Sequence, residues 1–510
     1  MEVELKLLID PQSRDALLEH PLLAAHATGK PHTNTQTDIY FDTPQLRLRR
    51  NAAGLRVRRV AKTFTQTLKQ AADGAGALHS RHEWESALPA ATPDLALLRR
   101  VVDDKRARHA LLDARSVKRR LAPVFKTKVK RTVWDLKLQD GDLVECALDE
   151  GRLECGGQSV PISELELELK SGDPAHLYAF ALALHDSLPM QVGIQSKADR
   201  GYALLDPQER SAVKAAALHL SSDMSSEQAF QAIVDNCLAQ VQANAGIVAD
   251  SDDVEGLHQM RVGMRRLRSA LNMYKESIRL PDDLQVEVDW LTAQLGAARD
   301  WDVLAGTTVE TVARELPDTP QIAELRQAAS GMRLEKHRQA AAAVKSARYT
   351  RLILNLGGWT QGAGWRDGMA PDARTQLSAQ LATFARKTMR KDQRRLHTRG
   401  KNLQAATPEA RHRVRIAAKK TRYAAEFFQS LLPKRQLQPY VQALARLQDE
   451  LGYLNDATVA DRLLGELSAG QTELCGGIGF IKGVLAARVK HDDKQIGKLW
   501  RQFARMKLPT

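Results

Sequence analysis

Hydrophobic and polar positions follow two different periods along the chain. Up to about residue 205 they alternate in short runs such as LRVRRV, LVECALD and ELELELK, which are separated by the turn signals GDL, GGQ and SGDP. Beyond that point, long stretches rich in Ala, Leu, Gln and Arg repeat with a helical period. A period of two is typical of antiparallel strands, and a period near 3.6 is typical of helices. The pattern therefore predicts an antiparallel β domain followed by an all-α domain.

The connection between the two domains is predicted from a change in composition. The segment LLDPQERSAVKAAALHLSSDMSSEQ contains Pro207 and a serine cluster that also offers a helix N-cap. We expect a β domain over 1–205, a linker over 206–222 and a helical domain over 223–508. Within the helical part, GGWTQGAGWRDGMAPDA at 357–373 is predicted to be a loop because it is rich in glycine. In the β part, RDALLEHPLLAA is predicted to form helices that cover the apolar face of the sheet.

The helical half contains an internal repeat. HQMRVGMRRLRSA from His258 and HRVRIAAKKTRYA from His412 both place basic residues three, seven, eight and ten positions after the histidine. Each is followed by a second shared element, LGAARDWDV from Leu295 and LGYLNDATV from Leu451. Two paired elements in the same order predict a duplicated helical unit. On a helix this spacing forms two stripes, of His258, Arg261, Arg265 and Arg268 and of His412, Arg415, Lys419 and Arg422, widened by Arg266 and Lys420.

Charge is distributed unevenly between the halves. The 510 residues carry a net charge of +14. Residues 1–205 contain 30 Lys and Arg against 27 Asp and Glu, so most of the excess lies in the helical half. The four cysteines show no CxxC spacing, and the charged start does not resemble a secretory signal, so a reducing cytoplasm is the expected compartment. The late apolar stretch is broken by Lys482, so no membrane span is expected. A basic helical domain indicates a polyanionic partner.

The basic stripes allow a structural interpretation and a functional one. Like charges at helical spacing disfavour the helix by a few tenths of a kcal/mol per pair, so they are either solvated or neutralised by the aspartates of the second element. Their recurrence with the same residue types favours binding of an extended polyanion. An aromatic content of 5% leaves few side chains to stack on bases, which disfavours nucleic acid and favours a phosphate polymer.

Charged residues also alternate with apolar ones in the β half. An ordinary sandwich would leave this charged face in water. Here acidic strands and basic strands recur separately, and Glu2, Glu4, Glu166 and Glu168 would repel one another as neighbours unless a divalent cation lay among them. Oxygen ligands without His or Cys favour Mg²⁺ or Mn²⁺ over zinc. With the basic strands, the pattern predicts a site for a metal-complexed oligophosphate.

The motifs of the first half resemble the CYTH domain. They are E-x-E-x-K at Glu2, Glu4 and Lys6, YFDTP at 40–44, GLRVR at 54–58, TLK at 67–69, Arg131 with Trp134, VECALDEG at 144–151, ELELEL at 164–169 and SKADRGY at 196–202. This resemblance implies an antiparallel β-barrel, the triphosphate tunnel, with charged residues inside. It further implies that Glu2, Glu4, Glu166 and Glu168 bind Mg²⁺ or Mn²⁺. Phosphate oxygens would be held by Lys6, Arg56, Arg58, Lys69, Arg131 and Lys197, with Glu83, Glu85, Glu145 and Asp149 positioning metal or water.

The repeats of the second half resemble the CHAD domain over about 223–508. This resemblance implies two pseudo-symmetric helical bundles and a surface that binds inorganic polyphosphate, lined by His258, Arg261, Arg265, Arg266, Arg268, His412, Arg415, Lys419, Lys420 and Arg422. Lys419 and Lys420 stand where the first copy has Arg265 and Arg266, so equal phosphate contacts by the two halves are not expected.

The combination resembles bacterial two-domain inorganic triphosphatases. We therefore expect hydrolysis of inorganic tripolyphosphate to pyrophosphate and phosphate, with Mg²⁺ or Mn²⁺ as cofactor and polyphosphate bound by the helical domain. The expected location is the cytoplasm, including polyphosphate granules. Two alternatives are a polyphosphate-body scaffold without turnover and a CYTH enzyme that acts on nucleoside or thiamine triphosphate.

Overall fold

The computed structural model describes residues 2–71, 78–113, 117, 120–139, 141–206, 211–403, 406–469, 472–491 and 493–509. The chain folds into two compact units. The first comprises Met1–Ser211 together with Lys345–Gly364, and the second comprises Ala212–Val344 and Trp365–Thr510.

The first unit is built on antiparallel strands. They are β1 (Glu2–Ile9), β2 (His32–Asp42), β3 (Ala53–Val60), β4 (Thr63–Ala71), β5 (Leu78–Leu88), β6 (Ala122–Lys137), β7 (Leu143–Cys155), β8 (Gln158–Ser171) and β9 (Met190–Val192). Their order in the sheet is β5-β4-β3-β2-β6-β7-β8-β1-β9, and β1 pairs additionally with β5. That additional pairing brings the series of eight long strands back to its start, as expected for a barrel.

Alternation along the strands separates a charged face from an apolar one. Leu5, Leu7, Leu165 and Leu167 are fully buried on the apolar face. Helices lie around the strands, and the helix Pro174–Ser187 (α6) contacts β1. The helices of this part are α1 (Arg14–Leu18), α2 (Pro21–His26), α3 (Arg47–Arg50), α4 (Leu95–Val101), α5 (Lys105–Ala107), α6 (Pro174–Ser187) and α7 (Lys197–Leu205). The charged face is thereby left to the interior of the ring.

The second unit is helical. Its helices are α8 (Ser226–Asp250), α9 (Val254–Tyr274), α10 (Asp282–Val303), α11 (Glu310–Glu315), α12 (Pro320–Lys345), α14 (Pro371–Ser378), α15 (Leu381–Gly400), α16 (Pro408–Phe427), α17 (Lys434–Ser468), α18 (Cys475–His491) and α19 (Asp493–Ala504). The basic repeats lie on α9 and α16, and the second repeat elements lie on the next long helices, α10 and α17. Asp253 and Thr407 cap the two basic helices at their N-termini.

A further helix, α13 (Ala347–Gln361), belongs to the first unit although it lies between the two repeats in sequence. His185 on α6 accepts a hydrogen bond from Met190 N–H at Nδ1 (3.2 Å), so its Nε2–H is free to donate to the Ala347 carbonyl (3.0 Å). The ring of Tyr178 packs against Gly357, where the Cβ of any other residue would lie 2.3 Å from the ring. The prediction of a loop over 357–373 is therefore wrong at both ends, because α13 extends to Gln361 and α14 begins at Pro371.

None of the described helices combines the length and hydropathy needed to cross a membrane.

Candidate functional sites

The interior of the strand ring contains a cavity of about 450 Å³. Of its 24 lining residues, 15 carry a charged side chain. The cations are Lys6, Arg49, Arg56, Arg58, Lys69, Arg131, Lys170 and Lys197, and the carboxylates are Glu4, Glu83, Glu85, Glu145, Glu166, Glu168 and Asp199. A volume of this size is within the range of small-molecule sites. The charged alternation seen in the sequence therefore lines an enclosed space.

Two lysines and an arginine hold a compact group of carboxylates in this cavity. Lys6 Nζ lies 2.5 Å from Glu166 Oε1 and 3.1 Å from Glu164 Oε1. Lys197 Nζ lies 2.5 Å from Glu164, 2.6 Å from Asp149 and 2.8 Å from Glu166. Arg131 donates two hydrogen bonds to Asp149, at 2.7 and 2.6 Å, and contacts Glu166 as well. Charges of both signs are thus packed together in a largely buried cluster.

Electrostatics keep this cluster ionised. Burial alone would raise the pKa of Glu166, but Lys197, Lys6 and Arg131 hold that pKa well below its usual range. Burial would likewise lower the pKa of Lys197, but Asp149, Glu164 and Glu166 raise it well above its usual value. Among the described residues, these three carboxylates form the cluster whose oxygens all lie within 4.8 Å of one another. Their oxygens are already neutralised by protein cations, so an ion there would have to displace them.

A second set of carboxylates forms a row across three adjacent strands. Glu4 on β1 is directly opposite Glu168 on β8, and Glu168 is directly opposite Glu145 on β7. Like charges in such positions are destabilising. Lys170 contacts two of them, Glu168 at 2.8 Å and Glu145 at 3.3 Å. This row lines the cavity, and its carboxylate oxygens are of the ligand type that hard divalent cations prefer.

Arginines of β3 occupy another part of the wall. Arg58 Nε and Nη2 each donate to Asp38 at 2.9 Å, and Arg56 donates to the same carboxylate at 3.3 Å. Lys69 on β4 lies 3.1 Å from Glu83. Burial tends to raise the pKa of Asp38, but Arg56 and Arg58 lower it to about 2. These guanidinium groups are therefore fixed in position by a buried anion.

Helix α7 begins at the cavity. Ser196 caps it in a capping box with Asp199, in which the Ser196 hydroxyl accepts from Asp199 N–H and the Asp199 carboxylate accepts from Ser196 N–H. Lys197 is the first residue of the helix. The cap therefore fixes the start of the backbone segment that presents Lys197 to the carboxylates.

Most residues predicted for this site lie at the cavity. Twelve of them line it: Glu4, Lys6, Arg56, Arg58, Lys69, Glu83, Glu85, Arg131, Glu145, Glu166, Glu168 and Lys197. Asp149 is fully buried behind Arg131, and the side chain of Glu2 lies outside the described residues. Residues at or beside the site that are not predicted as site residues from the sequence include Asp38, Arg49, Glu164, Lys170, Asp199 and Tyr202. Glu164 and Lys170 share the alternation of ELELELK, which is the signal that could have revealed them.

The helical unit contains a smaller basic pocket of about 70 Å³. Its charged lining comes from the middle of both stripes and from the second repeat elements, as Arg261, Arg265, Arg415, Lys419, Asp300 and Asp456. Arg261 lies 3.6 Å from Asp300, and Arg415 lies 3.9 Å from Asp456. The repeat formula thus pairs one arginine with one aspartate in each copy. The glycine of each second element, Gly296 or Gly452, leaves room beside that arginine.

Other members of the stripes are placed differently. Arg266 is buried and donates to Gln240 (2.9 Å) and Asn236 (2.7 Å), so the expectation that it lines a binding surface is wrong, because its guanidinium group is directed into the protein. Lys420 donates to Asn272 at 2.7 Å. The small pocket is lined neither by Arg266 and Lys420 nor by the other four members of the stripes, which are His258, Arg268, His412 and Arg422. Arg268 pairs with Asp289 and Arg422 with Glu426.

Comparison with known proteins identifies both parts of the chain. Residues 1–202 match the family model of the CYTH domain, and residues 232–465 match that of the CHAD domain. An inorganic triphosphatase of Haemophilus influenzae is 34% identical over 205 residues, which are 40% of this chain and 54% of that protein. The match thus spans about half the length of that relative.

Two solved structures are also similar. The CHAD domain from the plant Ricinus communis shares 36% identity over 59% of this chain and 99% of that chain, with a TM-score of 0.52. A putative adenylyl cyclase from Hippeastrum, described as having a dominant triphosphatase activity, shares 17% identity over 40% of this chain and 99% of its own, with a TM-score of 0.31. The second similarity is too low to support an argument about function. The chain is therefore a two-domain protein, with a CYTH domain followed by a CHAD domain.

Proposed function

We propose that this protein hydrolyses inorganic tripolyphosphate in the cavity of its CYTH domain and binds inorganic polyphosphate with its CHAD domain. The first part is supported by the similarity of the N-terminal region to an inorganic triphosphatase and by the charged lining of the cavity. The second part is supported by the basic pocket in the repeated helices.

The composition of the cavity wall is the observation that carries the choice of substrate. Apart from its 15 charged residues, the wall consists of Ala, Gly, Ser and Thr residues and two tyrosines, Tyr40 and Tyr202. Pockets that bind organic ligands are lined mainly by hydrophobic and aromatic side chains. Among the described lining residues, Tyr40 and Tyr202 are the only aromatic side chains, and no large aliphatic side chain occurs that would pack against a base or a thiazole ring. A fully inorganic phosphate chain suits this wall best.

The protein cations would bind and neutralise the phosphate chain. Arg56, Arg58 and Lys69 lie on β3 and β4, whereas Lys6 and Arg131 lie on β1 and β6. Guanidinium groups bind phosphate oxygens in bidentate fashion, and lysines bind them as point charges. On binding, these side chains would exchange part of their contact with carboxylates for contact with phosphate. Fixed charges of this kind stabilise the charge that develops on the leaving pyrophosphate.

The carboxylate row fits a divalent cofactor. Glu4, Glu145 and Glu168 would hold Mg²⁺ or Mn²⁺, with Glu2 as a further candidate and Glu166 next to the row. When bound, such an ion supplies charge neutralisation and an activated water for in-line attack on phosphorus. The carboxylates themselves orient water by accepting hydrogen bonds from it.

The test compares substrates on the purified full-length protein. With Mg²⁺, we expect phosphate release from tripolyphosphate to exceed release from ATP and from thiamine triphosphate. Glu4→Ala should abolish the release. Glu154→Ala is the matched control, because Glu154 on β7 pairs with Lys126, both side chains are partly exposed, and neither lines the cavity.

Equal or faster turnover of ATP, or formation of cyclic AMP, would contradict the proposed substrate. Polyphosphate binding without any turnover would instead support a scaffold function. Binding to polyphosphate granules in cells would follow from the second half of the proposal.

A further inference from the structure

The pocket in the helical domain departs from the symmetry of the repeats at one position. Arg265 and Lys419 both lie seven residues after the histidine of their copy. Arg265 Nε donates to the Tyr423 hydroxyl at 2.5 Å, and its guanidinium group lies 5.8 Å from the centre of that ring. The residue equivalent to Tyr423 in the first copy is Ser269, whose hydroxyl donates to the Arg265 carbonyl of its own helix. Lys419 therefore has no equivalent of the tyrosine that holds Arg265.

Lys419 is surrounded by other cations. Arg415 precedes it by one turn on α16, Arg261 and Arg265 line the same pocket from α9, and the carboxylates of Asp300 and Asp456 line it from α10 and α17. Each carboxylate is engaged with an arginine, Arg261 or Arg415. Within the described part of the chain, the Lys419 amine makes no hydrogen bond and no salt bridge of its own.

This environment disfavours a charged amine. Burial, followed by repulsion from Arg415, Arg265 and Arg261, lowers the pKa of Lys419 to about 7, and Asp456 opposes this only partly. Burial also lowers the pKa of Arg261 and of Arg415. The pocket therefore has an excess of positive charge that an anion would relieve.

We propose that this pocket binds phosphate groups together with a proton, and that Lys419 is the group that accepts the proton. The inference rests on the proposed binding of polyphosphate and adds that this binding is coupled to the uptake of a proton. Phosphate oxygens beside the amine favour its charged form, so the pKa of Lys419 rises on binding. By linkage, affinity is greatest below the pKa of the free pocket and falls as pH rises from about 7 toward the pKa of the complex, by up to about tenfold per pH unit.

Other titratable groups lie in or near the pocket, and the substitution of Lys419 separates their contribution from that of its amine. Burial, with Arg299 next, lowers the pKa of His258 to about 4, so this ring is uncharged throughout. Burial raises the pKa of Asp300, against the effect of Arg261. His412 lies on the same helix, outside the pocket. Long-chain polyphosphate is the appropriate probe because its end groups, which titrate near neutrality, are few.

The experiment measures binding of long-chain polyphosphate to the full-length protein between about pH 6 and about pH 9, the range around the pKa of the free pocket. A chelator is present so that no hydrolysis occurs. Titration calorimetry in two buffers with different heats of ionisation gives the number of protons taken up. We expect weaker binding at higher pH and uptake of a proton near neutral pH. Lys419→Arg, which places the first copy's residue in the second copy, should bind with a flatter pH profile and lower proton uptake.

Lys420→Arg is the matched control, since Lys420 donates to Asn272 and lies outside the pocket, and it should keep the original profile. An unchanged pH profile in Lys419→Arg, or binding by the unsubstituted protein without proton uptake, would overturn this inference alone. Failure to bind polyphosphate at any pH would overturn the proposed function, and the inference with it. If Lys419→Arg does not fold, proton uptake by the unsubstituted protein still decides the matter.

Discussion

Asp38 shows how a single buried carboxylate organises the cationic wall of the cavity. It is 1% exposed and accepts hydrogen bonds from both Arg56 and Arg58. Its strand position directly opposite Arg58 makes the two-point contact possible. Removing one partner of such a buried pair leaves uncompensated charge. Asp38 therefore supports, from behind, the two arginines that are proposed to bind phosphate, without lining the cavity itself.

Asp38→Asn should lower the free energy of unfolding at neutral pH by about 3 kcal/mol. Because the folded-state pKa of about 2 is below the ordinary value of 3.8, the contribution of this carboxylate is present above about pH 4 and is lost as pH falls toward 2. Urea unfolding as a function of pH should show this acid-dependent part reduced in the variant. Asp15→Asn, at an exposed position, is the control and should change stability by less than about 0.5 kcal/mol. Equal effects of both substitutions would contradict the role given to Asp38.

Most of the site residues predicted from the sequence occur in charged runs, whereas Asp38 does not. Glu4, Lys6, Arg56 and Arg58 are predicted because alternation places like charges on one face of a strand. Asp38 lies alone in the Thr-rich strand TQTDIY, where nothing distinguishes it from a surface residue. Its role depends on which residue lies opposite it, and strand register is a property of the folded sheet.

At the level of elements, the capping box at the start of α7 contributes to helix stability and also lies at the cavity. The same capping box occurs at Ser196 for α7 and at Ser225 for α8, which lies in the helical domain. Only the first of these serines lines the cavity. The two caps therefore offer a comparison between a cap near the proposed chemistry and one away from it.

Ser196→Ala should lower stability by about 1 kcal/mol and also reduce tripolyphosphate hydrolysis, because Lys197 loses the fixed start of its helix. Ser225→Ala should cause a similar loss of stability with hydrolysis unchanged. Urea unfolding and initial rates of phosphate release measure the two effects. Normal hydrolysis by Ser196→Ala would show that the cap does not position Lys197.

Prediction of the elements succeeds where periodicity is strong and fails where glycine is used for packing. The alternating runs form strands and the repeats form helices. The pair Gly357 and Gly358 looks like a loop signal, since glycine weakens helices. In α13 the missing side chains make room for the Tyr178 ring, so packing outweighs local preference. No local pattern in the sequence reveals that distant ring.

On the scale of the whole molecule, the two proposed activities use different residues. Replacing Arg261, Arg265, Arg415 and Lys419 by Ala should weaken polyphosphate binding while tripolyphosphate hydrolysis stays nearly intact. The affinity of the unsubstituted protein should fall steeply with salt, and the variant should show a shallower dependence because fewer counterions are exchanged. Binding assays at several salt concentrations, with duplex DNA as the competing polyanion, measure this.

Unchanged polyphosphate binding in the fourfold variant would exclude the small pocket as the binding surface. Equal affinity for polyphosphate and for DNA at matched salt would show that binding is a non-specific attraction between opposite charges and not recognition of polyphosphate.

The position of α13 in the sequence has a consequence for recombination between genes that encode these domains. The segment that packs against α6 of the first unit is encoded between the two repeats of the helical domain. A recombination event in the linker that moved residues 1–205 onto another partner would leave that helix behind, and with it the carbonyl that accepts a hydrogen bond from His185. The boundary between the two domains along the sequence therefore does not coincide with the boundary between the two compact units.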